Sequence, residues 1–190
     1  MSFRHIVGNY KVSLGNPQAI LKSFIGTATL IIGMYSTFVP IAKAGHYGPV
    51  GGIGGNSFFY ESPSGSFSEI IIRHGKRIDS LQFNGGGRGS SFYGGRGGRL
   101  DWIDIGGKCI TAIKGTIDIA RNHRKTSSIF SLEFIFSNGT RTDRFGRDGQ
   151  NFFALKAPPG EEITGFFGRH GREIDAIGIV TSSMRSNCPR

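Results

Sequence analysis

Two aspartates, Asp79 and Asp175, stand in nearly the same surroundings ninety-six residues apart, and they are the first place to look for chemistry. Around the second the chain reads Arg169-His170-Gly171-Arg172-Glu173-Ile174-Asp175-Ala176-Ile177-Gly178, and around the first Arg73-His74-Gly75-Lys76-Arg77-Ile78-Asp79-Ser80-Leu81. Two carboxylates facing each other across a scissile bond could act as acid and base or nucleophile. Here each belongs to its own copy of the repeat, so a facing pair is not implied, and Glu173 has Arg77 as its counterpart. His46, His74, His123 and His170 show no metal-ligand spacing. His74 and His170 occupy equivalent repeat positions, which reads as a structural or loop-orienting role. The expectation is a protein with no catalytic residues, no metal and no cofactor.

The elements that carry these residues are strands. Both copies follow an apolar run, Ile70-Ile71-Ile72 and Ile163 to Phe167, and both continue into alternating apolar positions, which gives strand, turn, strand. A third, degraded copy, Ser128 to Phe134, lies fifty-one residues after Arg77 to Phe83, with Phe130 in place of the aspartate and Thr126 in place of the glycine. Three glycine loops accompany the three turns: Gly51-Gly52-Ile53-Gly54-Gly55, Gly94-Gly95-Arg96-Gly97-Gly98 and the decayed Gly146-Arg147-Asp148-Gly149-Gln150. Phe58 and Phe59 flank the first and Phe92 and Tyr93 the second. Such glycines permit positive φ and let bare backbone N–H groups approach a ligand, the alternative being a plain tight turn.

No stretch is amphipathic over helical length, and Asn138-Gly139 between Phe136 and Arg141 reads as a hairpin turn in preference to a glycosylation sequon. The class expected is all-β with internal pseudo-threefold symmetry and almost no helix. Spacing also says how the ring closes. Gly75 precedes the loop at Gly94 by nineteen residues and Thr126 precedes the loop at Gly146 by twenty. The last turn, at Gly171, has no loop after it, and the first loop, at Gly51, has no turn before it. A closed ring therefore brings the C-terminal turn onto the N-terminal loop and builds a second, equivalent site from Gly75 to Asp79 with Gly97 and Gly98.

Arg4, Lys11 and Lys22 precede a charge-free run from Ser23 to Ala42, closed by Ala42-Lys43-Ala44. This is the pattern of a secretory signal peptide over residues 1–44, with an uncleaved anchor as the alternative. Residues 45–182 then form one domain and residues 183–190 a polar tail. The net charge of +10 includes four basic and no acidic residues of the leader, so the remainder carries 19 basic and 13 acidic side chains, a net +6. That suits an anionic partner and also serves solubility. Gly85 to Arg99 superficially reads as an Arg-Gly segment for nucleic acid, but its glycines fit the repeated loop, and no nucleic acid partner is expected. Cys109 and Cys188 could form one bridge outside the cell; the sequence leaves this open, as it does a homo-oligomer.

The Gly-Gly-x-Gly-Gly opening, Tyr93-Gly94-Gly95-Arg96-Gly97-Gly98, and Ile163 to Arg169 running on through Asp175-Ala176-Ile177-Gly178 resemble the jacalin-related lectins over roughly Tyr47 to Val180. The leader, basic surface and Cys-containing tail look most like the zymogen granule protein 16 branch. The resemblance implies β-prism I, three four-stranded sheets, and a secreted lectin in which a G-x-x-x-D turn and a glycine loop surround one hexose. Asp175 would accept bonds from two sugar hydroxyls while backbone N–H groups of Arg172, Glu173 and Gly55 donate, with Gly54 and Gly171 beside them. Asp79 would act likewise with Lys76, Arg77 and Gly98, beside Gly75 and Gly97. Each charged hydrogen bond contributes about 1.5–3 kcal/mol; the competing role for the aspartates is to cap their own turns. Lys76, Arg77, Arg96 and Arg99 would crowd the second site, and Arg169, His170 and Arg172 the first. Mannose-type or acidic, including sulfated, glycans are the expected partners, with anionic lipid headgroups beside them and polyanion binding without hexose recognition as the alternative. Phe130 cannot accept a hydroxyl, so no third site is expected.

Overall fold

The computed structural model describes residues 44–119 and 127–189; nearly all of the expected leader, together with His123 and Thr126, lies outside the described residues. Among the described residues there are thirteen strands and no helix. In chain order they are β1 (Gly45–Gly51), β2 (Asn56–Glu61), β3 (Glu69–His74), β4 (Ile78–Gly85), β5 (Arg88–Gly89), β6 (Tyr93–Gly94) and β7 (Arg99–Asp104). There follow β8 (Ile110–Ile119), β9 (Ser127–Phe136), β10 (Phe145–Gly146), β11 (Asn151–Lys156), β12 (Glu161–His170) and β13 (Ile174–Ser183).

Each of three antiparallel sheets is built on one long hairpin. The β3–β4 hairpin is flanked by β5 and β7, and the β8–β9 hairpin by β10 and β11, all drawn from the chain that follows it or lies nearby. The β12–β13 hairpin is flanked instead by β1 and β2, from the other end of the domain. That is the ring closure expected from the spacing of loops and turns. The expected three four-stranded sheets hold with one addition: β6 also pairs with β4, giving that sheet a fifth strand.

Equivalent residues of the three units stack in layers along the interior. Ile78, Ile129 and Ile174 form one layer and Leu81, Leu132 and Ile177 another, all fully buried. Phe83 and Phe134 meet Phe166 at ring distances of 4.8 Å, stacked, and 6.1 Å, edge-on. Burial of each such side chain is worth about 1.5–3 kcal/mol, so this column fixes the position of all three hairpins at once.

The hairpin ladders slip by one residue at the same place in every unit. His74 pairs with Ile78 and Arg73 with Ser80, which leaves Asp79 over; His170 pairs with Ile174 and Arg169 with Ala176, which leaves Asp175. In the third hairpin Thr116 pairs with Ser131 and Ile117 with Ile129, which leaves Phe130. A β-bulge inserts one residue and re-aims its side chain. The residue so placed is the aspartate in two units and a phenylalanine in the third.

At the other end of the β8–β9 hairpin, Cys109 and Cys188 are joined in a disulfide with Cα atoms 5.5 Å apart, which resolves the question the sequence left open. The residues after Ser183 are tied down with it. Glu162, 1% exposed, accepts the Arg185 backbone N–H at 2.8 Å and its Nε–H at 2.9 Å. The Met184 N–H donates to the Gly160 carbonyl at 2.8 Å.

Candidate functional site

The bulges determine where the glycine loops dock. The Gly52 N–H donates to the Asp175 carbonyl at 2.7 Å, the Gly95 N–H to that of Asp79 at 2.9 Å and the Arg147 N–H to that of Phe130 at 3.1 Å. Loop and turn thus pair in all three units, first loop with last turn included. The glycine that opens each loop has no substitute: Gly51, Gly94 and Gly146 have φ of 124°, 118° and 84°, and a Cβ on them would lie 2.3, 2.1 and 2.0 Å from the same three carbonyl oxygens.

Two carboxylates are walled by bare backbone in matching ways. A Cβ on Gly54 would come within 2.9 Å of Asp175 Oδ1, and one on Gly55 or Gly171 within 2.7 or 3.4 Å of Oδ2. In the second site a Cβ on Gly97 would come within 2.8 Å of Asp79 Oδ1, and one on Gly98 or Gly75 within 2.6 or 3.9 Å of Oδ2. The turns are closed by Gly171 N–H to Glu173 carbonyl, 2.9 Å, and Gly75 N–H to Arg77 carbonyl, 3.0 Å. Any side chain at these glycines would fill the space in front of the carboxylate. The structure therefore brings Gly54, Gly55, Gly171, Arg172, Glu173 and Asp175 together in one notch, and Gly75, Lys76, Arg77, Asp79, Gly97 and Gly98 in another. Chemically each notch offers a charged acceptor beside backbone N–H groups, suited to a pair of hydroxyls.

The charged side chains are disposed differently from the sequence expectation. Arg169 does not face the first notch: its Nε–H donates to the Gly54 carbonyl at 2.8 Å and another guanidinium nitrogen donates to that of Gly55, so it fastens the loop from behind. His170 Nδ1 accepts the Gly94 N–H at 3.0 Å and so supports the second notch, while His74 Nδ1 accepts the Gly146 N–H at 3.0 Å and supports the third loop. Both equivalent histidines orient the neighbouring unit's loop, the role their repeat position suggested. Arg99 turns to Asp101, 2.9 Å away.

Arg77 and Glu173 keep their backbones at the notches and their side chains meet each other, the Arg77 Nε also lying 3.9 Å from Asp79 Oδ1. The Arg77 guanidinium forms an ion pair with the Glu173 carboxylate, which is 3% exposed and also accepts from Ser128 Oγ at 2.7 Å. Residues 77, 128 and 173 are equivalent in the repeat, so their side chains converge between the three units. Exposed beside the second notch are Lys76, Arg96 and the paired Arg99; beside the first they are Arg172 and Ile53, the latter 86% exposed and the counterpart of Arg96. The first notch is therefore much less basic than the sequence implied. The signal was in the sequence: aligning the first two glycine loops sets Ile53 opposite Arg96.

Burial pushes the Asp79 carboxyl above the usual aspartate range; Arg77 opposes this, Glu173 adds to it and His74 opposes it. Burial also lowers the His170 imidazole below its ordinary value. The two shifts act on one notch. A raised carboxyl contributes stability below its unfolded pKa that is lost as pH rises through the folded value, so acid does not harm the fold through Asp79, but it removes the charged acceptor. A lowered imidazole contributes stability above its unfolded pKa that is lost as pH falls through the folded value, when a protonated Nδ1 can no longer accept the Gly94 N–H. With Asp175→Ala isolating the second notch, its ligand affinity should fall on acidification before an ordinary aspartate protonates; calorimetry showing a level affinity down to that range would contradict the assignment of Asp79 as acceptor.

One group among the described residues has metal-binding proximity, Cys109, Glu162 and Cys188, but its two sulfurs are bonded to each other and offer no thiolate.

Residues 47–180 match the family model described as the Jacalin-like lectin domain. Over 156 residues the chain is 33% identical to jacalin-related lectin 3 of Arabidopsis thaliana, covering 78% of this chain and 25% of that protein. It is 28% identical over 187 residues to a mannose/glucose-specific lectin of Parkia pendula, covering 94% and 41%. It is 30% identical over 147 residues to horcolin of Hordeum vulgare, covering 73% and 97%. The chain thus spans a quarter to two fifths of the first two relatives' length and matches nearly all of the third. Among solved structures, a mannose-binding jacalin-related lectin from Ananas comosus superposes with a TM-score of 0.66 at 29% identity, covering 74% of this chain and 99% of that one.

Proposed function

This chain belongs to the jacalin-like lectin family, and from that premise we propose that it is a carbohydrate-binding protein without enzymatic activity, each of its two notches taking one hexose of mannose type. The observation that carries this is the repeated one: a bulged aspartate whose carboxylate is walled by glycines, present at Asp175 and again at Asp79. Mannose-binding relatives of the same fold support the sugar class. Lys76 and Arg96, exposed beside Asp79, support preference of the second notch for sulfated or uronic-acid glycans. The disulfide and the leader pattern support secretion, and with the basic surface they favour the zymogen granule protein 16 branch.

The same exposed cations support a second reading, capture of polyanions such as glycosaminoglycans or lipid headgroups without hexose recognition. A glycan array of neutral, sulfated and uronic-acid sugars at two salt concentrations separates the two. Lys76→Ala with Arg96→Ala should weaken sulfated-glycan binding by roughly three- to ten-fold and flatten its salt dependence while neutral hexose binding stays level. Sulfated ligands bound with no hexose binding at any salt would favour the polyanion reading; equal loss for both ligand types would show that these side chains hold the loop and do not read charge.

A further inference from the structure

Beside the second notch lies a cleft of about 510 Å³ between β7, an edge strand of its sheet, and the segment at residues 142–145 that leads into the third glycine loop. It begins where the notch ends: Arg99, which lines it, directly follows Gly98. Its base is preorganised. Buried Phe145 packs its ring edge-on against His74 at 5.2 Å, and His74 Nε2–H donates to Asp101 at 2.6 Å, the Nδ1 of the same ring being occupied as an acceptor. Arg99 Nη2 reaches the same carboxylate oxygen at 2.9 Å.

Trp102 also lines the cleft and is 64% exposed, although it is the chain's single tryptophan and its neighbour Ile103 is buried. A flat apolar ring left in water beside fixed hydrogen-bonding groups is the arrangement that receives a ligand with one apolar face and a polar rim. A pyranose ring has that character. Arg99 and Arg144 are balanced by Asp101 and Asp143 along the same cleft, which suits a neutral ligand over a polyanion. We infer that this cleft extends the second hexose site and holds the next residues of an oligosaccharide, with Trp102 stacked on one of its pyranose rings. The inference rests on the reading of the Asp79 notch as a hexose site.

Because Trp102 is the chain's single tryptophan, its emission reports the cleft directly. A linear mannopentaose should shift that emission, whereas methyl α-mannoside, which occupies only the notch, should leave it unchanged. In the Asp175→Ala background the pentaose should bind about three- to ten-fold tighter than the monosaccharide, and Trp102→Ala should abolish that gain without altering monosaccharide affinity. Asp79→Ala in the same background should abolish binding of both. Pentaose binding with unshifted emission, or with the gain retained in Trp102→Ala, overturns the cleft while leaving the hexose notch standing. Failure of both sugars to bind overturns the hexose reading and the cleft with it.

Discussion

Asp79→Ala combined with Asp175→Ala should abolish specific hexose binding while the protein remains folded, and each single substitution should leave one working site. The size of the loss follows from the geometry. Each carboxylate can accept two sugar hydroxyls, and at about 1.5–3 kcal/mol per charged hydrogen bond the pair is worth roughly 3–6 kcal/mol. A single site between millimolar and tens of micromolar has a total binding free energy of only about 4–6.5 kcal/mol, so removing the acceptor leaves essentially nothing. The fold should tolerate the change because the bulge is held by backbone: the Asp175 and Asp79 carbonyls receive Gly52 and Gly95, and alanine keeps both bonds. At position 79 burial already disfavours the charged form, and Arg77, 3.9 Å from that carboxylate, keeps Glu173 as its ion-pair partner, so the substitution costs the fold little. Calorimetry with methyl α-mannoside should give two sites in the parent protein, one in each single variant and none in the double, with unchanged melting. Three sites in the parent, or binding retained in the double variant, would mean that the turns are scaffold only. The third unit should stay silent, because its bulge presents Phe130.

How much of this could be read from the sequence depended on whether a feature repeats. The turn-and-loop words recur at fixed spacing, and their order alone implied that the C-terminal turn meets the N-terminal loop, which β1 and β2 flanking the β12–β13 hairpin realise. The histidine role was legible for the same reason. The edge strand β5 had a signal in the sequence: Gly86 and Gly87, with φ of 60° and 73°, make the two-residue turn that folds it back on β4, whereas the added strand β6 is only Tyr93 and Gly94 and has no turn word of its own. Side-chain destinations were not legible. Arg77, Ser128 and Glu173 align in the repeat, but only the assembled ring shows that three dissimilar residues close on one another. Arg169 reads as a ligand-facing cation until the loop carbonyls behind it are placed. The Trp102 cleft joins segments some forty residues apart from two different sheets, and no local pattern encodes that. The bulge itself was invisible because an inserted residue changes strand register without changing composition.

Cutting the disulfide should lower thermal stability strongly and leave sugar affinity untouched. The bridge closes a loop of 79 residues, for which loop-closure entropy in the unfolded chain predicts a stabilisation of roughly 4 kcal/mol. For a domain of this size that corresponds to a fall in Tm of about 8–16 °C. The local surroundings act in the same direction. Arg185, which reaches Glu162 through its backbone N–H and its guanidinium, also places Nη2 3.0 Å from Cys109 Sγ, so freeing Cys188 loosens the cover over a carboxylate that is 1% exposed. An uncovered buried charge is costly to leave without its partner. The sugar notches are insulated by distance along the strands. Cys109 precedes β8, and the bulge that marks the notch end of that hairpin lies at Thr116 and Ile117, about 25 Å along the strand at the usual rise per residue. Cys188→Ser should therefore melt well below the parent, as should the parent with reductant, while both give the parent's affinity for methyl α-mannoside at temperatures where they are folded. Coincident melting curves for the parent and Cys188→Ser, with the free thiol of Cys109 verified by titration, would show that the Glu162–Arg185 contacts hold the C-terminal segment without help from the bridge.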